Sequence, residues 1–224
     1  MCFSVTTSIF SYLMGMIAAI AALSTRQYIV GMLILAYCQI QLAEAITWRG
    51  IDMSQPSLNR LGTLYAKYTL PLHLLFVGLG VVMMSTGTWS NASKYIPLIL
   101  GIIFYAGVVW FYSRESSIKD WVKPEERDMS FPANRACMKR ECQNNENRLQ
   151  WPFHDEWYVI QTLLVYIIFF IYLPRKQSVI LCSFFTVTFI ISKMMYTWSA
   201  SSIWCFLSAI LAPVLVGVNY YGRL

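Results

Sequence analysis

A chain of 224 residues that is 57% hydrophobic and only 12% charged, with a mean hydropathy of +0.52, lies outside the range of soluble domains, where charged residues make up about 25%. That composition predicts an integral membrane protein with much of its surface against lipid. The net charge of +6 does not point to nucleic acid, because no basic tract with interleaved aromatics is present.

The basic excess is unevenly placed. Residues 114–156 hold eight Lys/Arg against nine Asp/Glu, so that segment is near neutral. The surplus belongs to the apolar part and its short loops, where it suits anionic lipid headgroups. The lipid bilayer is therefore the expected partner, with copies of the same chain or membrane-assembly partners as further candidates.

Taken in order, seven apolar runs read as helical spans: 3–23, 28–48, 63–85, 95–113, 156–173, 178–196 and 200–220. Each approaches the ~20 residues that a helix needs to cross the hydrocarbon. The expected fold is all-α, a single seven-helix membrane bundle with one polar loop of about forty residues, 114–153, between the fourth and fifth spans. The first run lacks a basic n-region and is long enough to span, so it reads as a helix and not a cleavable signal. Trp121 and Trp151 would hold turns of the long loop against the membrane surface.

Alternating crossings place the N-terminus and the 114–153 loop on one face and the C-terminus on the other. The short loops of the C-terminal face carry Arg26, Lys94, Arg175, Lys176 and Arg223 and no acid. Basic short loops favour the cytoplasm, so the N-terminus and the long loop are expected on the exoplasmic side. Cys137 and Cys142, five apart in that loop, could then form a local disulfide. The Asn91-Ala-Ser sequon would face the cytoplasm and stay unmodified. Cys38, Cys182 and Cys205 lie in apolar runs and read as small buried hydrophobes.

The stretch QIQLAEAITW at 39–48 organises the chain. Glu44 sits inside a run long enough to cross a bilayer, and a carboxylate there costs about 2.5–3.5 kcal/mol on insertion scales. At helical spacing Tyr37, Gln41, Glu44 and Trp48 share one face. Partners at the same depth are Cys2 and Ser4 at the start of the first run, Lys67 and His73 in the third, and Lys193 late in the sixth. His154 sits at the mouth of the fifth, with Tyr158 and Gln161 following on one stripe. Each also has a purely structural reading: a helix clamp for Gln41 and Glu44, snorkelling for Lys67 and Lys193, and a solvated ring for His154. Asp155 and Glu156 would complement the positive end of the fifth helix.

The opening MCFS and the Gln-x-x-Glu-x-x-x-Trp pattern of Gln41, Glu44 and Trp48 resemble a family of multi-pass membrane proteins from bacteria and large DNA viruses. Those begin Met-Cys-Phe-Ser and carry Gln-Gln-x-x-Glu-Gly-x-x-Trp in the second span. Here Ala45 stands for the Gly, and Gln39 and Gln41 replace the adjacent pair. The likeness covers the first two helices, with Cys2, Phe3, Ser4, Gln41, Glu44 and Trp48 as matching positions. No activity attaches to that family, so the resemblance implies a fold and not a reaction.

Three functions remain in view. The first is a membrane protein that binds or conducts a proton, cation or small polar ligand around Glu44 and His73. The second is a structural or assembly protein of a cellular or viral membrane. The third, an intramembrane enzyme, is the least favoured. A zinc hydrolase needs about three protein ligands, and the chain has two histidines. A mid-span Schiff-base lysine is absent from the seventh run. No metal, cofactor or catalytic residue is assigned.

Overall fold

The computed structural model describes residues 4–84, 91–115, 157–195 and 200–221. Among them are nine helices and no strand: α1 Val5–Ser24, α2 Tyr28–Asp52, α3 Pro56–Thr69, α4 Leu72–Met83, α5 Asn91–Glu115, α6 Trp157–Tyr172, α7 Arg175–Met195, α8 Ala200–Ile210 and α9 Ala212–Tyr221. Cys2, Cys137, Cys142, His154, Asp155, Glu156 and all but the first two positions of the 114–153 loop lie outside the described residues.

The surface is that of a protein with lipid as solvent. Ile17 on α1, Ile103 on α5, and Val159 and Leu163 on α6 are all more than half exposed. Gln41, Glu44, Thr47, Ser192 and Asn219 are fully enclosed. Hydroxyls bond back into their own helices, as in Thr47 Oγ1 to the Ala43 carbonyl (2.9 Å), Thr162 Oγ1 to Tyr158 (2.7 Å) and Ser192 Oγ to Thr188 (2.7 Å). With no water in a bilayer core, polar groups must be satisfied internally in this way. The chain is a helical, multi-pass membrane protein.

Among the described residues four helices are long and apolar enough to cross a membrane, and up to six spans result when each of two bent pairs counts as one. The first bent pair is α3 with α4, at 49°. It revises the third expected span, which begins at Pro56 and not at 63. Pro71 causes the break, because it has no N–H for the Lys67 carbonyl and its ring crowds that oxygen. The second bent pair is α8 with α9, at 55°. Pro213 acts there in the same way on the carbonyl of Ala209. Helix α6, with 16 residues, is shorter than a full span.

Helix α2 is the hub. It packs against α1, α3, α4 and α8. Its span is 72% buried, against 33% or less for the other three long helices. Close approach at glycine permits this. A Cβ at Gly62 of α3 would lie 2.7 Å from the Ala43 carbonyl oxygen and 2.7 Å from the Thr47 nitrogen of α2. The two ends of the chain are tied at the opposite end of α2. Asn219 Nδ2 donates to Gln27 Oε1 at 2.5 Å, and Gln27 Nε2 donates to the Val216 carbonyl at 3.3 Å.

Candidate functional site

The stripe expected on α2 is real and points inward: Tyr37, Gln41, Glu44 and Trp48 are all buried. The Pro71 bend starts α4 one residue before His73 and delivers its ring to this stripe. The Tyr37 and His73 rings stack with centroids 4.3 Å apart and an interplanar angle of 30°. Phe185 of α7 stacks on Tyr37 at 5.2 Å, and Trp204 of α8 meets Tyr37 edge-on at 5.8 Å. Aromatic pairs at these separations each add about 0.5–1.5 kcal/mol beyond burial, so the imidazole is held in a fixed orientation.

The polar partner of that imidazole comes from α6. Tyr158 Oη lies 3.2 Å from His73 Nδ1 and 3.7 Å from the Cys205 sulfur of α8. A hydroxyl so placed can donate to the ring nitrogen while accepting from the thiol, or do the reverse. His73, Tyr158 and Cys205 therefore form one continuous line of exchangeable protons across α4, α6 and α8. Glu44 is fully buried on α2, the helix that packs against both α4 and α8.

The space enclosed between His73 and Gln161 is small. A cavity of about 10 Å³ is bounded by Tyr37, His73, Tyr158 and Gln161 among others. That is close to the least volume that holds one water. On its wall, Gln161 Nε2 has no hydrogen-bond partner among the described residues, and the His73 ring lies against the backbone of Leu70 and Ala36. Gln41, fully buried one turn from Glu44, has neither amide atom engaged among the described residues. A buried unsatisfied polar group costs about 1–3 kcal/mol, so these two amides are costly features of the interior.

His73, Tyr158 and Gln161 of the sequence reading border one cavity with Tyr37, and Gln41 and Glu44 are buried on the same α2 stripe as Tyr37. The site does not gather the lysines. Lys193 is exposed near the end of α7, whereas Glu44 and His73 are enclosed. Lys67 sits over the Tyr112 ring at 4.5 Å, a cation–π contact. Trp48 is buried, and its indole nitrogen has no partner among the described residues. The sequence reading takes Cys205 as a small buried hydrophobe. The one sequence signal for Tyr158 was its stripe with Gln161, and nothing in the sequence marked Cys205. Among the described residues no group of three His, Cys, Asp or Glu side chains could hold a metal ion.

No family model, no curated protein and no solved structure matches this chain.

Proposed function

We propose that the chain is a seven-crossing membrane protein whose interior holds and passes a proton between Glu44 and His73. Helix α6 counts as the seventh crossing beside the four long helices and the two bent pairs. The observation that carries the reading is the His73–Tyr158–Cys205 line, with Glu44 fully buried on α2, which packs against the helices of His73 and Cys205. An ionisable group inside a membrane helix is costly and marks proton or ion pathways. The cavity enclosed beside His73 favours the smallest of the candidates. A cavity of about 10 Å³ has no room for an organic solute, nor for a cation with the six or so oxygen ligands that hard cations take. A proton needs no volume and can move along hydrogen bonds by reorientation of one hydroxyl.

The orientation we favour has the N-terminus on the exoplasmic side and the C-terminus in the cytoplasm, from the basic short loops of the C-terminal face. The likeness to the Met-Cys-Phe-Ser family adds support for the bundle and none for the proton.

A second reading is a structural or assembly protein. The ring stack around His73 and the Gln27–Asn219 tie favour it, since both are what a locked bundle needs. Proton uptake in liposomes separates the two. With the full chain reconstituted and a potassium-diffusion potential imposed, an internal pH dye should report uptake above that of empty liposomes. Glu44→Gln, which keeps the shape and removes the titratable proton, should return uptake to the empty-liposome level while the protein stays folded. Uptake that never exceeds the control, together with a Glu44→Gln variant that fails to fold, would establish the structural reading.

A further inference from the structure

We propose that the cavity enclosed by α2, α4, α6 and α7 is a binding site for one water molecule, and that Gln161 is the residue that holds it. Tyr37 of α2, His73 of α4, Tyr158, Gln161 and Thr162 of α6 and Phe185 of α7, among others, bound a space of about 10 Å³. One water fits a space of that size and nothing larger does. Cavities that stay dry have apolar walls. Of the side chains named here only Phe185 lacks a polar atom, so this wall is of the other kind.

Gln161 supplies the donor. It is 3% exposed, and its Nε2 has no acceptor among the described residues. A buried amide N–H without an acceptor is costly, and the cavity beside it is where an acceptor fits. The other two partners come from α6 itself and from α2. Thr162 Oγ1 directs its proton to the Tyr158 carbonyl at 2.7 Å, so its lone pairs are what it offers to a water. Tyr37 is held on both ring faces, by His73 at 4.3 Å and by Phe185 at 5.2 Å, which fixes where its hydroxyl lies. A water that accepts from Gln161 and donates to Thr162 and Tyr37 makes about three hydrogen bonds, the usual number for a buried water.

Gln161 stands one helical turn beyond Tyr158 on the same side of α6. The water therefore adds one more exchangeable group beside the His73–Tyr158 pair, on the side away from the start of α6. That role in proton movement rests on the function proposed above, whereas the binding of the water does not. Within it Gln161 is a positioning residue: a side-chain amide carries no titratable proton near neutral pH, and it acts by orienting the water.

Nuclear magnetic resonance of the full chain in detergent micelles tests the site directly. The Gln161 side-chain amide is identified by its contacts to the ring protons of Tyr37 and Tyr158. It should show a cross-peak to water whose sign reverses between nuclear Overhauser and rotating-frame spectra, the mark of a bound water. A peak of one sign in both spectra marks proton exchange with solvent and would overturn the proposal, as would no peak at all. That measurement needs only the wild type, so it decides even if a variant does not fold. Where Gln161→Leu folds, it should lower the midpoint of thermal unfolding by about 3 °C, as expected for the loss of about one buried hydrogen bond in a chain of this length. A midpoint unchanged or raised would mean that the substitution removed an orphaned amide from a dry cavity, and the site would fall. Proton uptake in liposomes reads the role separately. Gln161→Leu should bring uptake toward the empty-liposome level, and uptake equal to the wild type would remove the water from the proton line. Wild-type uptake at the control level would overturn the proton function and this role with it, while the cross-peak still decides the binding site.

Discussion

At the scale of single residues, the centre of the site is the Tyr158 hydroxyl. It lies within hydrogen-bond distance of both His73 and Cys205. Tyr158→Phe keeps the ring, so the edge contacts to His73 and Trp204 at 5.4 Å each persist, and only the hydrogen bonds are lost. Interhelical hydrogen bonds in membranes contribute about 0.6 kcal/mol on average and up to about 1.7. A loss of about 1 kcal/mol in detergent unfolding is expected, and proton uptake should stop. Tyr166→Phe is the control: its bond to Thr186 is exposed, and its removal should leave both unfolding and uptake near the wild type. Equal effects from the two substitutions would place the importance of Tyr158 in its ring and not in its hydroxyl.

At the scale of elements, the bundle depends on how closely helices approach at small residues. This is the expected mode of association where lipid removes the hydrophobic drive between helices. Helices α4 and α5 show it symmetrically. A Cβ at Gly78 would sit 2.6 Å from the Leu98 Cα, and one at Gly101 would sit 2.6 Å from the Leu75 Cα. The contact with most bearing on the site is Gly62 against α2, because it sets where the Glu44 helix lies. Gly62→Ala forces α3 off Ala43 and Thr47, and overpacking of this kind costs about 1–3 kcal/mol. Gly107 on α5 has open space around it, and Gly107→Ala should be neutral or slightly stabilising through helix propensity. Thermal unfolding of the two variants side by side checks the contrast. A Gly62→Ala variant as stable as Gly107→Ala would show that α2 and α3 separate freely.

At the scale of the whole molecule, the chain is closed by a polar tie between residues 192 apart in sequence, Gln27 and Asn219. Asn219→Leu leaves the buried Gln27 Oε1 without its donor, and an orphaned buried polar atom costs about 1–3 kcal/mol. The double replacement Gln27→Leu with Asn219→Leu removes both polar groups, so it should recover part of that stability. Denaturant unfolding of the single and double variants measures the difference. A double variant no more stable than Asn219→Leu alone would mean that the tie contributes through shape and not through its hydrogen bonds.

The sequence by itself determined that the chain crosses a membrane several times, and that α2 with Glu44 lies at its centre. Both follow from composition and helical period, which are local properties. Pro71 and Pro213 stood in plain view, and a proline's effect on the carbonyl four residues earlier is equally local, so both bends were legible in principle. Only the tertiary structure decided which groups meet. His73 pairs with Tyr158 across 85 positions, and Cys205 joins them from a helix that is 47 positions beyond Tyr158. The rotation of each helix about its axis selects these contacts, and that rotation is set by close approach at Gly62, Gly78 and Gly101 and by the ring stack on Tyr37. The lysines went the other way for a related reason. A long flexible stem carries its charge to wherever a ring or the membrane surface receives it, and the depth of its Cα does not fix where the ammonium ends.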